Sequence, residues 1–147
     1  LEDRIEIIEI HRKIIRLIIP TYKELLEKGK IEITTSPYYH PILPILLDIK
    51  STQKNLSVPD NSLFDMDLSD DAKVQTQLAM NRIEELFGKR PKGIWPSEHC
   101  VSPKELELFK ELGVQWTISD EGILTNSIDF TLYIKKLIFV VTKTNIF

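Results

Sequence analysis

The sequence predicts an α/β fold with parallel strands, because stretches with helical periodicity alternate with short β-branched stretches. The size of the chain agrees with this fold: 147 residues, of which 42% are hydrophobic, are enough to bury one core and favour one domain. Glycines at Gly29, Gly88 and Gly113 stand where helical patterns end, which is typical of helix C-termini.

The first predicted helix covers residues 1–28, and Pro20 is expected to kink or split it before Gly29 ends it. Its apolar side chains at helical spacing are Ile8, Ile15, Ile18, Tyr22, Leu25 and Leu26. The β-branched run from Ile31 to Thr35 predicts a short buried strand. A second helical run follows from Pro41 to Asp48.

The middle of the chain predicts a loop and then a long helix. Residues 49–68 are mostly polar and are expected to form a surface loop. The helix is predicted from Asp70 to Phe87, with Ser69 as N-cap and Gly88 at its end. Its predicted apolar stripe consists of Val74, Leu78, Ile83, Leu86 and Phe87.

Two more strands and a helix complete the alternation. Residues 92–95 and 114–118 predict strands, and the capping box from Ser102 to Glu105 begins a helix that runs to Leu112. The stretch 125–147 is β-prone but lacks cap and stop signals, so a strand pair and a divergent tail both remain open.

Charge and cysteine content exclude several classes of protein. Lys and Arg number 19 against 22 Asp and Glu, and no basic patch predicts a nucleic-acid partner. No apolar run reaches the roughly 20 residues of a membrane-spanning helix, and the chain begins without the basic region of a secretory signal. The single cysteine, Cys100, excludes a disulfide framework and is expected to be an inert buried thiol. We therefore expect a cytoplasmic protein.

Two segments carry chemically versatile side chains just after predicted strands. His40 follows the first of these strands, and Trp95 and Glu98 follow the second. If the strands are neighbours, these three side chains meet, because the carboxyl ends of parallel strands share one edge. A carboxylate beside an indole face suits carbohydrate chemistry. The alternatives are a solvated or capping Glu98, a core Trp95 and a structural His40.

Other polar groups are weaker candidates. Asp120 and Glu121 follow the last predicted strand and either enter the same crevice or lie in solvent as capping residues. His11, His40 and His99 lack the spacing of a metal site, so no metal and no other cofactor is expected.

The run from Ile31 to Pro44 (IEITTSPYYHPILP) resembles the second signature block of glycoside hydrolase family 57. This is the family of α-amylases, 4-α-glucanotransferases and amylopullulanases. The run from Gly93 to Glu98 (GIWPSE) is similar to its third block, whose glutamate is the catalytic nucleophile. The similarity includes the linking helix that ends in residues 87–91 and continues through residues 101–124.

This resemblance implies an incomplete (β/α)7-barrel, TIM-barrel-like and with parallel strands, over residues 1–124, followed by a divergent tail over 125–147. It implies that Glu98 is the nucleophile of a retaining mechanism on an α-glucan or oligosaccharide. It also implies sugar contacts for His40 and Trp95. The resemblance also implies that Tyr39, Asp120 and Glu121 bind substrate, but it assigns no chemical role to them.

The chain also departs from the family pattern. The family's first block and the block with the acid/base aspartate have no counterpart here, although a retaining glycosidase needs two carboxyl groups roughly 5–5.5 Å apart. We therefore expect a fragment that works with a companion chain supplying the rest of the barrel. Alternatives are an inactive or carbohydrate-binding remnant, and a deacetylase-like metalloenzyme, whose aspartate and paired histidines are not found.

Overall fold

Helices supply most of the regular structure in the computed structural model, which describes residues 2–50, 67–127 and 142–143. In chain order the elements are α1 (Glu2–Glu27), α2 (Leu43–Leu47), α3 (Ser69–Phe87), β1 (Gly93–Ile94), a 3-10 turn (Ser97–His99), α4 (Pro103–Glu111), β2 (Trp116–Thr117), α5 (Glu121–Ser127) and β3 (Thr142–Lys143).

The strands form one small sheet in the order β1-β2-β3. β1 and β2 are parallel, with Ile94 opposite Thr117, which confirms an α/β fold with a parallel strand pair. On the other side of β1, the predicted strand from Ile31 to Thr35 is reduced to one parallel bridge between Thr35 and Ile94. β3 runs antiparallel to β2 and lies in the stretch 125–147, for which the sequence left a strand pair open.

α1 runs unbroken through Pro20, so the predicted split of this helix is wrong. A proline inside a helix removes one backbone hydrogen bond, and the remaining turns hold the helix together. Gly29 ends the helix as expected, with a φ of 65° and the Lys30 N–H donating to the Leu25 carbonyl at 2.9 Å. The predicted apolar side of α1 is exposed except at Leu25 and Leu26, which are half-buried. No helix in the described part of the chain has the length and apolarity that crossing a membrane requires.

α3 departs from prediction at its start and on its buried face. Ser69 is the first residue of the helix and not its N-cap, and its N–H donates to the Asp67 carboxylate at 3.0 Å. Val74 and Leu78, which the predicted stripe includes, are exposed. The residues that α3 buries are Ala72, Thr76, Ala79, Met80 and Phe87. Mostly small side chains face inward because α3 packs directly on α2. Gly88 ends the helix at a φ of 73°, as predicted.

The core lies where α2, α3 and α4 pack around β1. Its buried apolar residues are Leu43, Ala72, Met80, Ile94, Leu108, Phe109 and Val114. α4 begins as predicted, with Pro103 in its first turn and the Ser102 hydroxyl oxygen accepting from the Glu105 N–H at 3.3 Å. Glu105 points into the core and is 0% exposed.

Two predicted regions lie largely outside the described residues. The predicted loop at 49–68 begins with helical Ile49 and Lys50, and 51–66 are not described. α5 crosses the predicted boundary after residue 124, and β3 shows that the stretch 125–147 contains a strand. The division into a catalytic part and a tail stays a prediction.

Candidate active site

The structure brings together the two segments that the sequence singles out. His40 follows the Thr35 bridge and Glu98 follows β1, and the His40 Nε2 lies 3.2 Å from the Glu98 Oε1. The other imidazole nitrogen, Nδ1, lies 3.2 Å from the Ser36 hydroxyl oxygen. A neutral imidazole satisfies both contacts when Nε2 donates to Glu98 and Nδ1 accepts from Ser36. The predicted meeting of these two segments is therefore confirmed.

Trp95 completes the cluster and is not a core residue, since 39% of its surface is exposed. Its ring centroid lies 5.8 Å from that of His40, with the ring planes at 60°. The Trp95 ring also contacts the His99 ring, with ring centroids 5.4 Å apart and ring planes at 63°. The indole Nε1–H of Trp95 donates a hydrogen bond to the His99 Nδ1 at 3.3 Å. The Trp95 backbone N–H donates to the Thr35 carbonyl at 2.8 Å, which fixes the residue against the neighbouring strand.

The backbone at this site is strained. His40, Glu98 and His99 have φ values of 57°, 55° and 59°, and they are the non-glycine residues with positive φ in the described part of the chain. Each such conformation costs on the order of 1–3 kcal/mol, and strain of this kind concentrates at active sites and ligand-binding sites. The strain therefore supports a functional role for these residues, independently of their chemistry.

A repeated turn produces part of this strain. Residues 37–40 and 96–99 both read Pro-x-x-His, and in each turn the histidine N–H donates to the proline carbonyl, at 2.8 Å and 3.1 Å. The repeat is visible in the sequence, and it is the signal that would have identified His99 as a site residue beside His40.

The other predicted substrate-binding residues make different contacts. The Tyr39 N–H donates to the Gln75 Oε1 of α3 at 2.9 Å, while the Tyr39 side chain is 78% exposed. The Asp120 Oδ1 accepts from the Gly122 N–H at 2.7 Å and so caps the start of α5, where Glu121 is exposed. These contacts are with α3 and α5, whereas the contacts of His40 are with Glu98 and Ser36.

Cys100 is half-buried, not fully buried as predicted, and its thiol lies 3.7 Å from the Glu98 carbonyl oxygen. Within residues 2–50, 67–127 and 142–143, no group of three or more His, Cys, Asp or Glu side chains is arranged to hold a metal ion.

An α/β chain that gathers a carboxylate, an imidazole and an exposed indole after neighbouring strands has part of the side-chain set of an α/β glycosidase, namely one of the two carboxyl groups and an aromatic ring. Comparison with known families is consistent with that class. The sequence matches Glycosyl hydrolase family 57 over residues 5–145, so the chain belongs to this family.

The chain is also similar to "Alpha-amylase 1" of Dictyoglomus thermophilum. The two are 29% identical over 101 residues, which make up 68% of this chain and 12% of the relative. The chain thus spans a small part of the length of the relative that it matches. No solved structure matches the chain.

Proposed function

We propose that this chain carries the nucleophile of a retaining glycosidase site for α-glucans, with Glu98 as that nucleophile. The observation that carries the proposal is the 3.2 Å contact between Glu98 Oε1 and His40 Nε2, which joins two blocks 58 positions apart in the sequence. Membership of family 57 supports the reaction class, and similarity to an α-amylase supports the substrate class.

In this proposal an oxygen of the Glu98 carboxylate attacks the anomeric carbon of the bound sugar. A new carbon–oxygen bond forms, and the bond to the leaving oxygen breaks with its electron pair on that oxygen. His40 donates to the carboxylate and holds it in one orientation, while the Trp95 ring carries the sugar. The leaving oxygen needs a proton, which a second carboxyl group supplies.

The proposal includes an incomplete (β/α)7-barrel whose remaining strands and acid/base aspartate come from a companion chain. The Thr35 bridge, β1 and β2 support it, because they are adjacent, parallel and joined through helices. The antiparallel pairing of β3 with β2 does not fit this proposal, because a barrel of parallel strands contains no antiparallel pair.

A carbohydrate-binding piece without turnover is the second candidate. The Glu98 side chain is 69% exposed, whereas a nucleophile works best in a site from which water is excluded. The exposed rings of Trp95 and Tyr39 suit sugar binding with or without catalysis.

The deciding experiment is a search for a covalent glycosyl adduct by intact-protein and peptide mass spectrometry after incubation with α-glucosyl fluoride. Fluoride leaves with little acid assistance, so the reagent tests the nucleophile separately from the acid. We expect an adduct on Glu98 in the unmutated chain and none in Glu98→Gln. The matched control is Glu107→Gln, an exposed glutamate on α4, which should still form the adduct.

Failure of the folded, unmutated chain to form any adduct would overturn the nucleophile assignment. The carbohydrate-binding candidate then predicts that a maltooligosaccharide still changes the tryptophan fluorescence, and that Trp95→Phe removes most of that change.

A further inference from the structure

The indole of Trp95 has already donated its N–H before any ligand arrives. The acceptor is Nδ1 of His99, at 3.3 Å, and the two rings meet edge to face with centroids 5.4 Å apart. An indole has this single hydrogen-bond donor and no acceptor, so the contact uses its full polar capacity. What Trp95 offers a ligand is therefore its ring.

His99 is itself held from two directions. Its N–H donates to the Pro96 carbonyl at 3.1 Å, and its own carbonyl accepts from the Ser119 hydroxyl at 2.8 Å. The Ser119 contact connects the turn after β1 to the segment after β2. These two hydrogen bonds, at a strained φ of 59°, fix the direction in which the imidazole leaves the backbone.

We propose that His99 is a positioning residue that fixes the Trp95 indole as a platform for the apolar face of a glucose ring. This inference rests on the proposed function and deepens it, because it names how the site contacts the sugar. A side chain ordered before binding does not lose that rotamer freedom on binding, so the fixed indole increases affinity. The sugar hydroxyls find their partners elsewhere, because the indole N–H is occupied.

The arrangement dictates the tautomer of His99. Because Nδ1 accepts from the indole, the ring proton of the neutral imidazole is on Nε2. Nitrogen-15 NMR of the unmutated chain in mildly alkaline buffer should show Nδ1 of His99 unprotonated and Nε2 protonated. The opposite tautomer would overturn the proposal without any mutation.

Two variants separate the acceptor from the backbone strain. Asn and Gly both tolerate a positive φ, but only His99→Asn keeps an acceptor atom on Cγ where Nδ1 was. We expect the indole proton resonance of Trp95 to move toward that of a free indole in His99→Gly and to stay near its original position in His99→Asn. A merely structural role would predict no difference of this kind between two variants that both fold.

Trp116 provides an internal reference in the same spectrum. Its Nε1–H donates to the Glu32 Oε1 at 3.2 Å, away from His99, and its resonance should be unchanged in both variants. Trp95→Phe assigns the two signals. Movement of both resonances together, or of neither in His99→Gly, would overturn the proposal.

The consequence for binding is measured by titration with a maltooligosaccharide. Releasing the indole should weaken binding roughly 2- to 10-fold in His99→Gly, the cost of ordering one side chain, with recovery in His99→Asn. Equal affinity in His99→Gly and the unmutated chain would overturn the platform role. If the unmutated chain binds no sugar, the proposed function fails, while the tautomer and the indole resonances still decide whether His99 fixes Trp95.

Discussion

At the scale of single residues, Glu105 shows the cost of burying a carboxyl group. Its side chain is 0% exposed, and neither of its oxygens has a hydrogen-bond partner in the described structure. Burial raises the pKa of Glu105 from its ordinary 4.5 to about 8. The nearby backbone N–H of Ser102 lowers the pKa of Glu105 by a smaller amount. This N–H does not meet the distance and angle of a hydrogen bond to the carboxyl group. Glu105 is therefore protonated in the folded chain at neutral pH.

Stability should consequently fall as the pH rises from about 4.5 to about 8, because the unfolded chain ionises Glu105 in this range and the folded chain does not. Each pKa unit corresponds to about 1.4 kcal/mol, so the loss across the range is a few kcal/mol. Glu105→Gln removes the titrating group and should flatten this dependence, so that the variant gains stability relative to the unmutated chain as the pH rises. Urea unfolding at a series of pH values measures the difference.

Glu107→Gln is the matched control, because Glu107 lies on the same helix and is exposed. Its stability should follow the unmutated chain at every pH. A Glu105→Gln variant whose pH dependence parallels the unmutated chain would contradict the neutral state of the buried carboxyl.

The strained residues at the site show which residue-scale information a sequence withholds. Chemical type made His40 and Glu98 candidates, but nothing in their type indicates a left-handed backbone, which glycine and asparagine usually signal. For His99, the local signal is the Pro-x-x-His pattern that it shares with His40. Its conformation follows from a turn held by hydrogen bonds to Pro96 and Ser119, and the latter lies 20 positions away.

At the scale of elements, β1 and β2 come together through a glycine. Gly93 is buried opposite Trp116, and a Cβ on Gly93 would lie 2.4 Å from the Trp116 indole. The missing side chain therefore lets the indole lie across β1. The Ile94 carbonyl, one residue further on, accepts from the Thr117 hydroxyl at 2.8 Å, which adds a contact between the same strands.

Gly93→Ala should therefore destabilise the chain by about 1–3 kcal/mol, since the added methyl displaces a ring packed against the strand. Gly88→Ala is the informative comparison. Gly88 ends α3 at a φ of 73° with open space around it. The alanine substitution there should therefore reduce stability through backbone strain alone, by about 1 kcal/mol. Chemical unfolding measures both.

Because Gly93 precedes the site directly, its variant should also change the environment of Trp95, whereas Gly88→Ala should not. Equal behaviour of the two variants in stability and tryptophan fluorescence would contradict the close approach of Trp116 to β1.

At the scale of the whole molecule, α1 is largely exposed. Its large apolar side chains lie in solvent along most of its length, with Ile15 65% exposed, although such side chains normally lie against other protein. α1 contacts α3, and the half-buried residues of α1, Leu25 and Leu26, lie near the C-terminal end of α1. The exposed length fits the proposal of a companion chain that covers it.

The chain purified without such a companion should self-associate through these side chains, and sedimentation velocity should show species larger than a monomer. Ile15→Glu should reduce the association, because a charge on an apolar contact surface opposes burial. Arg16→Gln changes an exposed neighbour on the same helix and should leave the association intact. A monodisperse monomer over a wide concentration range would contradict the companion-chain proposal.

The sequence by itself predicted the alternation of helices and strands, the glycine stops after α1, α3 and α4, and Glu98, His40 and Trp95 as candidate site residues. It could do so because periodicity, caps and glycine stops are local signals, and because the two runs that resemble family blocks are each contiguous.

Only the tertiary structure decided which faces are buried and what each polar group contacts. α3 buries Ala72 and Ala79 in place of the predicted Val74 and Leu78, because packing against α2 favours close approach over side-chain hydrophobicity. Asp120 caps α5, while the indole N–H of Trp95 is taken by His99. These outcomes depend on distances between backbone segments that no local pattern encodes, and they determine how the site meets a sugar.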